Sequence, residues 1–336
     1  MNEKIAVVTD STTYLPNEVK EQLRINVVPL SVIIDGKSYR EGEELSAADF
    51  YRKVKEAENF PTSSQPAPGD FIHLFEQLKE QGFDTVISIH LSSGISGTFQ
   101  NAASAGELIE GLNVVAYDSE LSCMAQGMFV VKAAEMALAN EPLDQIIQKL
   151  DKIKQAQDAY FMVDDLNNLQ RGGRLNGAQA LVGSLLQIKP ILHFNDKQIV
   201  LFEKVRTQKK ALKRIEDILQ KAVQNKTAEK AYVIHGNDLA KGEAWLAQLE
   251  AKFPEVTFEL SYFGPVIGTH LGEGALGLTW SIKIKNLQLK AGVFFFMETK
   301  FVFSVVLDGK NTRFRLKEIL VLFISMRSKT RISFLQ

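Results

Sequence analysis

The chain holds a single cysteine, Cys123, among its 336 residues. No internal disulfide can form, no metal centre can rest on thiolates, and a reducing compartment fits. Histidine is also sparse: His73, His90, His193, His235 and His270 are scattered, with no pair at metal-ligand spacing. No run reaches the ~18 apolar residues that a spanning helix needs. Met1 to Ser11 lacks the basic-then-apolar order of a secretion signal. These absences point to a cytoplasmic protein. There is no Gly-x-Ser-x-Gly elbow, no Walker-type phosphate loop and no Gly-x-Gly-x-x-Gly after a strand. The usual sequence grounds for a hydrolase or a nucleotide-binding enzyme are therefore missing.

What is present is ordinary for a globular protein, with 45% hydrophobic and 24% charged residues. At ~100–200 residues per domain the length suggests two domains. The net charge of −1 hides an asymmetry: Ser281 to Gln336 carry 11 basic against 3 acidic residues, a net of +8, which leaves −9 on the rest. An acidic body disfavours nucleic acid, whose binding depends on neutralising phosphates.

Along the first half, short apolar runs alternate with helical patterns. Lys4 to Thr9, Asn26 to Ile34, Asp84 to His90 and Asn113 to Tyr117 read as strands. Helical spacing marks Ala47 to Glu56, Pro68 to Gln81, the stretch after Thr98, the stretch before Ala139, and Pro142 to Gln157. This alternation predicts a parallel, doubly wound sheet over residues 1–157. Phe60 to Gly69 reads as a loop from its turn residues. Past Asp158 the pattern changes. Asn195-Asp196-Lys197 between two apolar runs signals a hairpin. An α+β domain with antiparallel strands is expected over 158–280, followed by an atypical basic, Phe-rich extension over 281–336.

Three hydroxyl-rich loops fall where α/β sheets put ligands, beyond the carboxyl ends of strands. They are Asp10 to Thr13, Thr62 to Pro66, and Ser92 to Thr98. Hydroxyls and helix N-terminal N–H groups are donors suited to a carboxylate or phosphate; their plainer role is helix capping. Arg171-Gly172-Gly173-Arg174 offers a guanidinium for a bidentate contact, or a solvated charge beside a C-cap. Gly264 to Gly274 holds four glycines in eleven residues, read as tight turns around His270, a residue that can donate to an anion. Cys123 lies in an apolar helical pattern and reads as core. Ser93, His270 and Asp10 could form a Ser–His–Asp set, but their spacing gives it no support.

Seven segments, in order, resemble the DegV family: Val7 to Thr12, Thr62 to Pro66, Ser92 to Ala102, Leu169 to Arg174, Ile188 to Leu192, Val205 to Ala211, and Gly268 to Ala275. The resemblance spans Ile5 to about Trp280. It implies a two-domain α/β fold, with an N-terminal three-layer parallel-sheet domain and an α+β C-terminal domain. Between them it implies a deep apolar tunnel for one long-chain fatty acid as ligand, with no other cofactor. It further implies a carrier that is not itself an enzyme and serves phospholipid synthesis. The carrier presents the carboxylate to a separate ATP-dependent fatty acid kinase that makes acyl-phosphate. Carried over by motif, Ser93 lies on the carboxylate with Ser63 or Thr62 as a second hydroxyl. Arg171 and His270 join the headgroup cluster, and Arg206 faces the kinase. The competing possibility is a stand-alone small-molecule kinase or hydrolase of related fold.

Family members end near the Gly274 to Trp280 segment, and the last 56 residues depart from them, holding 8 of the 21 phenylalanines. Two β-like runs, Ala291 to Met297 and Phe301 to Leu307, precede a basic apolar stretch. This is either an extension without function or a contact with a membrane surface that is at most peripheral.

Overall fold

Ile5–Asp10 (β1) is apolar, with a pair of adjacent valines, and is buried from Ala6 onward. It pairs in parallel with Ile25–Val28 (β2). In the computed structural model, which describes residues 3–175, 189–224, 227–283, 294–298 and 301–305, the chain then leaves this sheet. Ser31–Ile34 (β3), Lys37–Arg40 (β4) and Thr62–Ser64 (β5) make a small antiparallel sheet of order β4-β3-β5. Asp35 (φ 47°) and Gly36 (φ 79°) turn β3 into β4, the left-handed pair that a tight hairpin needs. Thr85–His90 (β6) and Asn113–Asp118 (β7) complete the parallel sheet, order β2-β1-β6-β7. Connections diverge to either side of β1, so the crevice lies beyond the carboxyl ends of β1 and β6.

Strand alternation sorts the two faces. Ala6, Val8 and Val86 pack with Phe71, Phe75, Ala102 and Ala105. Val7, Ile87 and Ile89 pack with Phe129, Val130, Ile146 and Leu150. The helices of this half are, in chain order, α1 (Asn17–Gln22), α2 (Ala47–Glu56), α3 (Pro68–Glu80), α4 (Thr98–Gly106), α5 (Cys123–Leu138) and α6 (Leu143–Lys154). α3 and α4 cover one face, α5 and α6 the other, which gives three layers.

The second sheet begins with Gln157–Met162 (β8), followed by the short helix Asn167–Arg171 (α7). Lys189–Asn195 (β9) and Gln198–Val205 (β10) form the expected hairpin, with Asp196 and Lys197 at positive φ. Gln208–Gln224 (α8), Thr227–His235 (β11), Leu239–Lys252 (α9) and Thr257–Tyr262 (β12) follow, then Pro265–Leu271 (α10) and Leu276–Lys283 (β13). The order is β10-β9-β8-β13-β11-β12, antiparallel except for β11 with β12. One face packs Val233 and Trp280 against Ile215, Leu219 and Trp245 of α8 and α9. The other face shares a core cluster with α5.

Two expectations are corrected. Thr62–Ser64 is a strand inside the stretch read as loop, because its backbone pairs with Ile33 and Val32 of β3. The glycine-rich stretch around His270 is a helix, because tertiary packing outweighs glycine's weak helix propensity. Cys123 is core, as the sequence predicts, and opens α5 at φ +58°.

Residues 285–336 form a separate unit. There Phe294–Glu298 and Phe301–Val305 pair antiparallel, matching both β-like runs. The basic stretch beyond them lies outside the described residues. No helix among the described residues is long and apolar enough to cross a membrane.

Candidate ligand cavity

A cavity of about 290 Å³ lies between the carboxyl-end loops of the first sheet and the inner face of the second. That is close to the lower end of the ~300–1,000 Å³ usual for small-molecule sites. Its apolar wall comes from Phe161, Phe194, Ile199, Phe263, Ile267 and Leu271. Its polar groups include Ser63 on β5, Ser96 and Arg174 on loops, and His270 on α10.

Ser63 Oγ lies 2.7 Å from His270 Nε2. Burial, and secondarily the Arg174 charge, pull the His270 pKa from 6.5 to about 4, so the ring is neutral at physiological pH. Its Nδ1 is buried without a hydrogen-bond partner among the described residues. In the tautomer with the proton on Nε2, the ring donates to Ser63, and the Ser63 proton is free for a ligand oxygen. Arg174 is half-buried, its Nε donating to Ile95 O at 3.1 Å and Nη1 to Gly172 O at 2.5 Å. Burial lowers its pKa, but a guanidinium stays charged.

Helix α10 is seated from the other side of the molecule. Val266 N donates to Glu41 Oε1 at 2.8 Å and Ile267 N to Tyr14 Oη at 3.2 Å. Tyr51 Oη donates to Phe263 O at 3.0 Å. A Cβ on Gly268 would lie 2.7 Å from Tyr51 Oη, so a glycine is required there. A Cβ on Gly172 would lie 2.2 Å from His270 Nδ1. Gly172→Ala is therefore expected to push the ring off Ser63 and to cost about 1–3 kcal/mol, as overpacking does. Thermal unfolding checks the cost, and an unchanged melting temperature would refute it.

The remaining residues singled out in the sequence fall elsewhere. Ser93 is exposed and donates its hydroxyl to Asp118 Oδ2 at 2.6 Å. Asp118 also holds Lys197 Nζ at 2.9 Å. Burial pushes this carboxyl up, but the bonds from Ser93 and Lys197 outweigh it, and its pKa lies below 3.8. Thr62 is exposed, because alternation along β5 turns it away from Ser63. Arg171 is exposed with its guanidinium 5.5 Å from the Phe60 ring centre. Arg206 is exposed just past β10. The structure thus brings Ser63 and His270 together and leaves Ser93, Thr62, Arg171 and Arg206 off the cavity wall.

Arg174 and Ser96 were not singled out. Arg174 is the second arginine of the same Arg171–Arg174 motif, and it rather than Arg171 lines the cavity, after a turn at Gly173 (φ +67°). Ser93, His270 and Asp10 form no Ser–His–Asp set. Asp10 instead bonds His90 Nδ1 at 3.0 Å, and His90 Nε2 lies 2.7 Å from Ser88 Oγ. All three are fully buried, so this chain of groups has no access to a substrate. No cluster of metal-ligating side chains occurs among the described residues.

The fold defines an α/β protein of two large sheets, with a partly open cavity lined more by apolar than by polar groups. The chain belongs to the DegV family: the model of that family of uncharacterised proteins matches residues 4–283. A DegV domain-containing protein of Listeria monocytogenes is 98% identical over 283 residues, 84% of this chain and 100% of that protein. Among solved structures, DegV of Bacillus subtilis, described as a fatty acid binding protein, superposes with a TM-score of 0.79 at 50% identity. That match covers 84% of this chain and 100% of the other. A fatty acid binding DegV family protein of Streptococcus agalactiae gives 0.78 at 34% identity, over 83% and 99% of the chains.

Proposed function

We propose that this chain binds one long-chain fatty acid in the cavity and presents its carboxylate to a separate ATP-dependent kinase. The observation that carries the reading is the Ser63–His270 pair, with Arg174 beside it, on a cavity whose wall is otherwise largely apolar. Burying about 16 methylenes at ~0.8 kcal/mol each offers on the order of 10 kcal/mol before ordering costs. The tail supplies the affinity, and the polar end orients the head. Two solved relatives, each described as fatty acid binding, support the same reading.

Ser63, His270 and Arg174 are the proposed headgroup contacts. Ser93 joins them if its side chain rotates and trades Asp118 for the ligand carboxylate. Thr62 and Arg171 face away and are left out. Arg206, exposed beyond β10, is the proposed contact with the kinase.

Lipid extraction and mass spectrometry of gently purified protein should find close to one fatty acid per chain. Empty protein would count decisively against the carrier. Ser63→Ala combined with Ser93→Ala should keep the fold and lower acyl-phosphate formation with an added kinase. Arg206→Ala should lower it without changing the lipid content.

A further inference from the structure

We propose that Gln157 is the end stop of the cavity and sets the longest acyl chain it takes, an inference that rests on the fatty-acid reading. The register of β13 against β8 places Gly277 opposite Phe161, Thr279 opposite Ala159 and Ser281 opposite Gln157. Alternation puts Gln157, Ala159 and Phe161 on one face, level with Gly277 and Thr279. Phe161, Ala159, Gly277 and Thr279 all line the cavity, and Ala125 of α5 lines it as well. Small side chains on two neighbouring strands and on the helix above leave a trough between them.

The trough has a direction. β13 begins at Leu276, shortly after α10 ends at Leu271, so its first residues lie toward the His270 end. From Gly277 to Thr279 the wall runs away from that end by roughly 7 Å, at ~3.4 Å per residue. Gln157 stands one step further along the same face and reaches across. Its Nε2 donates to Ala125 O at 2.7 Å, and it lies 3.4 Å from both Thr279 Oγ1 and Met128 Sδ. The side chain therefore spans from sheet to helix and is braced at both sides. Thr279 is fixed in turn by its bond to Asp158 O at 2.8 Å.

The stop is polar as well as solid. Gln157 Oε1 is buried and has no hydrogen-bond partner among the described residues. A methyl terminus that reaches this amide gains no further apolar burial and cannot pair with the oxygen. Affinity should climb about fourfold per methylene until the tail meets Gln157, and then level off.

The test measures affinities of successive straight-chain saturated fatty acids by displacement of a fluorescent fatty acid from the full-length chain. In Gln157→Ala the levelling point should move to longer chains. The first acid two carbons beyond the natural limit should bind on the order of tenfold tighter than to the unaltered protein. Thr279→Leu, which fills the same end from the facing strand, should move the levelling point to shorter chains, and it keeps the test open should Gln157→Ala not fold. Gln157→Met, equal in bulk without the unpaired oxygen, should leave the limit in place. An unchanged levelling point in Gln157→Ala or Thr279→Leu overturns the assignment. Failure of the unaltered protein to bind any acid in the series defeats the carrier reading instead, so the two failures are told apart.

Discussion

Asp10→Ala is expected to lower the unfolding free energy by about 3–5 kcal/mol, the range for breaking a buried charged network. Asp10 is fully buried at the carboxyl end of β1. Its oxygens accept from Thr12 N at 3.0 Å, Thr12 Oγ1 at 2.6 Å, His90 Nδ1 at 3.0 Å, Leu91 N at 3.0 Å and Gln126 Nε2 at 3.0 Å. Alanine strands Thr12 N, Leu91 N and His90 Nδ1 in a buried place, while Thr12 Oγ1 keeps Gln126 Oε1 and Gln126 Nε2 keeps Thr9 Oγ1; a stranded buried donor costs about 1–3 kcal/mol. Burial pushes the Asp10 carboxyl up, but the bonds from His90, Thr12 and Leu91 outweigh it, leaving the pKa below 3.8. An acid depressed in the native state contributes stability above its unfolded pKa. That contribution is lost as pH falls through the lower native value. Urea unfolding near neutral pH, repeated in acid, measures both effects. A loss under about 1 kcal/mol, typical of an ordinary surface or mild core change, would refute the role given to this carboxylate.

Glu41 behaves in the opposite sense. Burial raises its pKa from 4.5 to about 7, and the nearby Asp10 charge adds to the rise, while bonds from Ser11, Val266 N and Tyr14 oppose it. The other titratable groups around it are Tyr51, Cys123 and Tyr262, none of them cationic. An acid raised in the native state holds a proton that the unfolded chain has already shed. Between pH 4.5 and about 7 the native state therefore binds more protons, so stability falls as pH rises through that window. Glu41→Gln keeps the shape and an acceptor for Val266 N but cannot ionise. It is expected to gain on the order of 3 kcal/mol over the unaltered protein above pH 7. It should also remove this part of the pH dependence. Unfolding midpoints across the pH range check it, and parallel curves for the two proteins would refute it. Asp10 and Glu41 influence each other, so the double variant should not be additive.

Much of the architecture was legible because it rests on local chemistry. Val7-Val8 and Val86-Ile87, buried on both faces, announce central parallel strands, and Asp35-Gly36 and Asp196-Lys197 announce tight hairpins. The polar residues that follow β1 and β6 mark the crevice. The site was legible in part. His270 and Ser63 were found, but the residues that align them act across the chain. Glu41 and Val266 are separated by 225 positions, and no local pattern shows that a carboxylate in one strand's turn will hold a helix so distant. Gly264, Gly268 and Gly272 look like turns in the sequence. In space the first two admit the Tyr14 ring and the Tyr51 hydroxyl against a helix backbone, and the third, at φ +76°, ends that helix. Ser93 was read as a free hydroxyl because Asp118, which holds it, lies at the end of a different strand.

The anchoring of α10 has a mechanical outcome. This helix follows β12 in the chain and so belongs to the second sheet's half, yet its leading amides are held by Glu41 and Tyr14 from the first. His270 rides on the same rod and is fastened to Ser63, again from the first half. Separating the two halves would therefore break the imidazole's bond to Ser63 in the same movement.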